Sequence, residues 1–401
     1  MPVYKYKAIN ESGSSIEGVV DADSARSVVE ELKRSGIYLS SIEEVKRGKR
    51  RGFRFLRAVS ATELSISTRQ FATMISAGLP LEASLQALSE QTEDAYLTEV
   101  MAGVKDSIGE GSSLAKALGE HPEVFSDLYI NIVRAGEVSG TLGIVLERLA
   151  DFLERQDALT SRIRSALVYP LFMVIVGSGV LVFMMTYVVP SITKIFEQSK
   201  KALPAITVVL IEVSSLFRDH LLLMLLCAAA LIFSIYRFNK TPRGRKFFDR
   251  LILKIPTFGK IARMIIISRF TRTLGTLLQS GIPLLEALEV SESVVGNVVY
   301  RDALVNVREN LREGTSFSGP LRESGVFPPL VTRMVSVGEQ TGELDDMLLR
   351  VADTYDLQVE TTMSGLMSLL EPVMILVLGV VIGFIVFAIL LPIFDLTSTI
   401  R

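Results

Sequence analysis

The residues best spaced to do chemistry in this chain of 401 residues are acidic. Glu147 and Asp151 stand four apart, so on a helix both carboxylates point the same way and offer the hard oxygen ligands that Ca²⁺ takes. A third ligand has to come from another element. The rival reading is a solvated acidic face balanced by Arg148 and Arg155. Other chemistries find less support. His121 and His220 are far apart in the chain and ordinary in context, so they make no catalytic pair. No Gly-x-x-x-x-Gly-Lys-Ser/Thr stretch occurs, and with it goes any recognisable P-loop for a nucleotide. Cys227 is the single cysteine, which excludes an intrachain disulfide. Ser178, Thr186 and Cys227 lie in apolar runs with no base or metal ligand beside them, against an intramembrane enzyme.

The elements that position these residues come in duplicate. Gly78-Leu79-Pro80-Leu81 returns as Gly281-Ile282-Pro283-Leu284, and Gly136-Glu137-Val138-Ser139-Gly140-Thr141-Leu142 returns as Gly338-Glu339-Gln340-Thr341-Gly342-Glu343-Leu344. The offset is 203 residues from Gly78 to Gly281 and 202 from Gly136 to Gly338, so one single-residue gap reconciles the copies. A tandem duplication is the economical reading. Each copy shows apolar residues at helical spacing, as at Phe71, Met74 and Ile75 and at Leu274, Leu277 and Leu278. Gly78 and Gly281 suit the left-handed position that ends a helix, with Pro80 and Pro283 opening the next. Gly111-Ser112-Ser113 and Gly314-Thr315-Ser316 read as a glycine stop followed by hydroxyl caps. Each copy is therefore expected to be a bundle of antiparallel helices.

Two readings attach to the acidic turns. Gly136 with Gly140, and Gly338 with Gly342, allow a tight turn or a close helix contact, with Glu137 and Glu339 capping a following helix. Alternatively Glu137 and Glu339 form docking points for a basic partner.

An apolar stretch closes each copy. No charged residue occurs between Arg164 and Lys194 or between Glu371 and Asp395, and at ~1.5 Å per residue either stretch crosses a hydrocarbon core of ~30 Å. A third run, Leu221 to Tyr236, is short for a span. The duplication supports it, because two like units lie the same way up only if an odd number of further crossings returns the chain between them. Arg218 and Arg237 can snorkel at its two ends. After that run come Arg237, Lys240, Arg243, Arg245, Lys246 and Arg250 against one acid, Asp249, which marks the cytoplasmic side. The three apolar runs hold no interior charge, unlike those of a transporter. A net charge of −2 gives no basic field for nucleic acid, and a mean hydropathy of +0.40 suits a membrane-anchored globular protein.

The expected fold is an all-α membrane protein with two homologous cytoplasmic helical bundles, three transmembrane helices and a small N-terminal α+β module. That module covers residues 1–45, with strands at Val3–Ile9 and Ser15–Val20, a helix capped by Asp23 or Ser24 and running to about Ser35, and a strand from Ile37. A basic linker at 46–60 is either solvated or set against anionic lipid heads. The first repeat occupies 61–167, a span 168–190, a periplasmic loop 191–220 and the second span 221–236. A basic connector at 237–266, the second repeat at 267–371, a span at 372–394 and a periplasmic tail at 395–401 complete the chain.

The paired Gly-Glu-x-Ser/Thr-Gly-x-Leu and Gly-Leu/Ile-Pro-Leu motifs, Lys254-Ile255-Pro256-Thr257-Phe258-Gly259-Lys260 and the ending Leu390-Leu391-Pro392-Ile393-Phe394 resemble the F protein of bacterial type II secretion systems. The related inner-membrane platform protein of type IV pilus assembly is similar too. The resemblance covers essentially the whole chain; the loop around Lys201-Ala202-Leu203-Pro204 and the compact C-terminus lean towards secretion. It implies a non-enzymatic, multi-pass platform in the bacterial inner membrane that couples a cytoplasmic assembly ATPase, with its membrane recruiter, to the assembly of pseudopilins. It also implies a homo-oligomer in contact with inner-membrane lipid, no nucleic-acid partner and no required cofactor. In the secretion branch the calcium pattern takes a further ligand from an earlier helix, and Glu93, next to Asp94, is the counterpart here. The second copy has Leu349 where Glu147 stands, so any such Ca²⁺ site belongs to the first copy.

The charge asymmetry predicts a cytoplasmic N-terminus and a periplasmic C-terminus. Alkaline phosphatase fused after Arg401 should be active and fused near Gly338 silent; the reverse pattern overturns this topology.

Overall fold

The computed structural model describes residues 3–9, 15–21, 38–45, 59–191 and 204–398. The expected helix from about Asp23 to Ser35, the basic residues 46–58, the loop residues 192–203 and the side chain of Arg218 lie outside the described residues. The chain divides into Met1–Ala58 and Val59–Arg401. In the first unit β1 (Val3–Ile9), β2 (Ser15–Asp21) and β3 (Tyr38–Val45) form an antiparallel sheet in the order β2-β1-β3. The β1–β3 register shifts between Lys7 and Ala8.

The second unit is helical, and each repeat contributes six helices. The first repeat has α1 (Ala61–Ser76), α2 (Leu81–Gln91), α3 (Ala95–Gly109), α4 (Leu114–Gly119), α5 (Asp127–Ser139) and α6 (Leu142–Phe183). A π-helical turn, Met184–Val188, extends α6, and α7 (Ala205–Asn239) and α8 (Pro242–Lys254) follow. The second repeat has α9 (Phe258–Gln279), α10 (Leu284–Val294), α11 (Val298–Arg312), α12 (Ser318–Glu323), α13 (Pro329–Thr341) and α14 (Leu344–Ser398). Polar side chains start several of them: Ser60 accepts from the Glu63 N–H, Asp94 from those of Tyr96 and Leu97, and Asn297 from that of Val299. Gly78 and Gly281 both hold φ at 84° in the turn before the second helix of their repeat, a conformation that a Cβ disfavours.

One continuous core runs through both repeats. Phe71, Leu85, Leu97, Leu118, Ile132 and Leu146 in the first join Phe270, Leu274, Leu288, Leu304, Val335 and Leu348 in the second, all almost fully buried. Tyr129 shares a hydrogen bond with Thr68 at 3.3 Å between their hydroxyls, and burial pushes its phenol up to about 12.

Two features at the domain boundaries go beyond what the sequence reading stated. The last helix of each repeat does not stop at the membrane: α6 and α14 run on through the apolar stretches, with Pro170 and Pro372 accommodated inside them. A proline removes one helical N–H and its ring crowds the carbonyl four residues back, yet it is tolerated inside a membrane helix whose neighbours hold it. The basic connector is a packed helix. In α8 Asp249 accepts from the Val298 N–H at 2.8 Å, Arg245 donates to the Gly296 carbonyl at 3.1 Å and Lys246 pairs with Asp302 at 3.3 Å, so α8 belongs to the second repeat. The turn from α8 into α9 is tight. A Cβ on Gly259 would lie 2.6 Å from the Leu253 carbonyl oxygen, and Thr257 takes φ of 69°.

Three helices are long and apolar enough to cross a membrane: Leu142–Ser191, Leu222–Asn239 and Leu344–Leu391. At one end they are joined by hydroxyl-to-carbonyl hydrogen bonds. Thr207 on α7 donates to the Ala388 carbonyl of α14 at 2.7 Å, and Ser214 donates to the Met185 carbonyl in the π turn. Pro190 has no N–H to complete the helical ladder there, so a hydroxyl from the next helix satisfies a carbonyl of the widened turn.

Candidate functional site

The repeated acidic turns are built into the fold. Gly140 and Gly342 end α5 and α13 at φ of 71° and 77°, letting the chain reverse directly into the long last helix of each repeat. At Gly136 and Gly338 the reversed helix comes so close that a Cβ would stand 3.2 Å from the Leu142 Cα and 2.7 Å from the Leu344 Cα. Glu137 accepts from the backbone N–H groups of Leu114, at 2.5 Å, and Ala115, at 2.9 Å. Glu339 accepts from those of Phe317 and, at 3.0 Å, Ser318. Both carboxylates thus cap the short fourth helix of their repeat, an earlier element in place of the following helix that the sequence pointed to. In the first repeat Ser113 shares that work by accepting from the Lys116 N–H. In the second, Thr315 and Ser316 supply no cap to α12, and the glutamate does. Charge-assisted hydrogen bonds to two orphan N–H groups are among the stronger local interactions.

The calcium candidates are placed differently. Among the described residues no three His, Cys, Asp or Glu side chains are gathered so as to hold a metal ion, so Glu93, Glu147 and Asp151 do not form such a group. Asp151 instead pairs with Arg69 of α1, which also binds Glu154 with two hydrogen bonds at 2.6 and 2.9 Å. The hydrogen bonds that Arg69 donates to Glu154 and then Asp151 push its guanidinium still higher than its ordinary value. Asp94 is engaged as the cap of α3.

This clamp is itself duplicated. Arg272 lies at the position of Arg69, and it donates to Asp353 at 2.7 Å and Asp356 at 2.6 Å, the counterparts of Asp151 and Glu154. The sequence carried the signal, since Arg69 with Asp151 and Arg272 with Asp353 recur at the offsets of the glycine motifs. Burial separates the two versions: the Arg272 side chain is 9% exposed and that of Arg69 35%.

The second clamp is covered because the first repeat lies on it. Arg155 of α6 also donates to Asp353, at 2.7 Å, so this carboxylate serves one arginine from each repeat. Seven residues on, Arg162 pairs with Glu360, while Arg148 donates to the Gln279 carbonyl at the end of α9. Closer to the apolar segments, Tyr169 donates to Glu371 at 3.4 Å, and a Cβ on Gly177 would meet the Leu378 side chain at 2.7 Å. Residues 169 and 371 are equivalent in the duplication, and the pairs advance together along both helices, so α6 and α14 run side by side in the same direction. Between them lies a groove of about 900 Å³ lined by Leu159, Ile163, Met173, Met363, Met367 and Met374.

The capping geometry predicts that Glu339→Ala lowers stability by about 1–2 kcal/mol, the worth of a lost helix cap. Denaturant melts of the detergent-solubilised chain check this; an unchanged midpoint would remove the carboxylate from the stabilising set.

The known proteins most informative for this architecture share its duplication. Residues 67–190 and 270–392 match the family described as Type II secretion system (T2SS), protein F, and residues 1–43 match the N-terminal domain of the same protein. The chain is 38% identical to the Type IV pilus assembly protein PilC of Thermus thermophilus over 100% of this chain and 99% of that protein. It is 36% identical to PilC of Myxococcus xanthus, covering 99% and 96%. With the Type II secretion system protein F of Vibrio cholerae it shares 35% identity over 99% of each. Two copies of one family unit, each ending in a helix that continues into the membrane, behind a matching N-terminal domain, make this chain a member of the type II secretion system protein F family.

Proposed function

We propose that the chain is the inner-membrane platform of a type II secretion system, which couples a cytoplasmic assembly ATPase to the growth of a pseudopilus and so to export across the outer membrane. The observation that supports this most is the continuity of α6 and α14. Each begins inside a helical bundle and ends in a membrane span without a break. A displacement applied to the bundles therefore reaches the bilayer through two parallel helices, not through loops. In this reading both bundles and the N-terminus face the cytoplasm, where the ATPase and its membrane recruiter act, and the C-terminus faces the periplasm. The chain contributes position and leverage and hydrolyses no nucleotide itself.

A second reading keeps the mechanism and changes the product: the platform of type IV pilus assembly. The identity of 38% to a PilC protein favours it. A chromosomal deletion separates the two. The secretion reading expects exported proteins to accumulate in the periplasm while surface pili persist, with plasmid-borne protein restoring export. Loss of pili with export intact would move the assignment to the pilus branch, and loss of neither would overturn both.

A further inference from the structure

The short helix α8 is amphipathic in the opposite sense to a helix laid on a bundle. Its charged side is the one that docks. Lys246, Asp249 and Leu253 share a face and meet the second repeat: Lys246 pairs with Asp302, Asp249 accepts from the Val298 N–H, and Leu253 packs against the core. The apolar side is turned away from the protein. Phe247 is 57% exposed and Leu251, four residues on, 41% exposed, and the stripe continues past the end of the helix through Ile255 to Phe258, which is 67% exposed. A helix lying on a globular bundle turns such a stripe inward. A stripe of large apolar side chains left outside marks contact with something other than water.

The position of α8 says what that is. Asn239 ends α7, which is apolar and long enough to cross a membrane, and Pro242 opens α8. The turn between them is tight: Thr241 accepts from the Gly244 N–H at 3.1 Å, and a Cβ on Gly244 would collide with the Phe238 carbonyl. Phe248 of α8 then packs edge-on against Phe238 of α7, with ring centroids 6.0 Å apart. The helix therefore folds back beside the end of the span instead of continuing along its axis. It lies at the level where α7 leaves the bilayer, next to Tyr236 and the Lys240 ammonium, which sits 4.6 Å from the centre of that ring. Tyrosine and lysine at the end of a span are the usual anchors of the membrane–water interface.

Charge completes the pattern. Arg243, Arg250 and Lys254 run along one edge of the apolar stripe and are exposed, and no ion pair to any of them is found among the described residues. The single acid of α8, Asp249, is engaged by the protein. The outward side of the helix is thus apolar and cationic only.

We propose that α8 and the turn after it are an interfacial foot. Phe247, Leu251 and Phe258 enter the acyl boundary of the leaflet on the side of the helical bundles, and Arg243, Arg250 and Lys254 hold the phosphates of anionic phospholipids. The occupant is a lipid surface because the stripe is continuous with a membrane span and its unpaired cations complement anionic headgroups. Since α8 is docked on α11 through its other side, this attachment holds the second repeat at the bilayer.

The test uses the full-length chain with Cys227→Ala and a nitroxide label on one new cysteine at a time: Leu251→Cys, Phe258→Cys, or Asp346→Cys. Asp346 is exposed on the first turn of α14, at the end of that helix remote from its apolar stretch. In vesicles of phosphatidylcholine with phosphatidylglycerol, the labels replacing Leu251 and Phe258 should collide with oxygen in preference to a water-soluble nickel chelate, and the label replacing Asp346 should show the reverse. Phe258→Cys carries the measurement if Leu251→Cys folds poorly. Omitting phosphatidylglycerol should lower the oxygen-to-nickel ratio several-fold. Combining Arg243→Gln, Arg250→Gln and Lys254→Gln should do the same in the original vesicles at an unchanged melting temperature. Labels at Leu251 and Phe258 that meet nickel as freely as the one at Asp346 would overturn the proposal. So would labels shielded from both reagents, the sign of a protein cover, or a ratio indifferent to phosphatidylglycerol.

Discussion

Asp353 accepts hydrogen bonds from two arginines of different origin, Arg272 of its own repeat and Arg155 of the other, and the arrangement of the helical unit follows from that sharing. Within a repeat, the clamp fastens the first helix to the last, which sets the orientation of the helix that enters the membrane. Between repeats, the shared carboxylate and the Arg162–Glu360 pair one heptad further on hold the two last helices side by side. Exposed pairs alone contribute little, of order 0.2–1 kcal/mol each. Arg272 differs because it is largely buried, and a buried guanidinium without its carboxylates is costly. The apolar contacts of the common core supply most of the adhesion; the charges fix which faces meet and in what register.

Parallel last helices resolve the topological demand of the duplication. Two like bundles can enter one membrane from one side only if a third crossing returns the chain, and α7 makes that crossing. It is tied to the other two where their ladder is widened by Pro190 and where Thr207 reaches the Ala388 carbonyl. The remaining faces of the spans expose Leu, Ile, Val and Phe side chains, as lipid contact requires. Force applied to the bundles passes into helices that are covalently continuous and laterally paired, the property that the platform reading needs.

Much of this was legible in the sequence because it rests on local patterns. Gly78 and Gly281 ended helices as their type predicts, the apolar runs became helices long and apolar enough to cross a membrane, and Val3–Ile9 became a strand. What escaped was decided by partners remote in sequence. Glu137 reads as a cap for the helix after it, yet its N–H donors, Leu114 and Ala115, lie more than twenty residues before it. Glu147 and Asp151 share a helix face as their spacing demands, but spacing could not say that Arg69 already holds Asp151. The connector reads only as basic, because the capping and ion-pair partners that dock α8 lie in and just before α11. The duplicated Arg69 and Arg272 were available in the repeat alignment, and a search for charged pairs conserved between the two copies would have found the clamp.

The most direct test of the parallel, side-by-side helices is a disulfide within the membrane. With Cys227 replaced by alanine, Gly177→Cys and Leu378→Cys sit where a Cβ on residue 177 meets the Leu378 side chain, within the reach of a disulfide. Mild oxidation in native membranes should form an intramolecular bond efficiently, seen as protection of both thiols from maleimide labelling without an increase in molecular mass. Free thiols after oxidation, or a bond formed only between separate molecules, would contradict the pairing of α6 with α14.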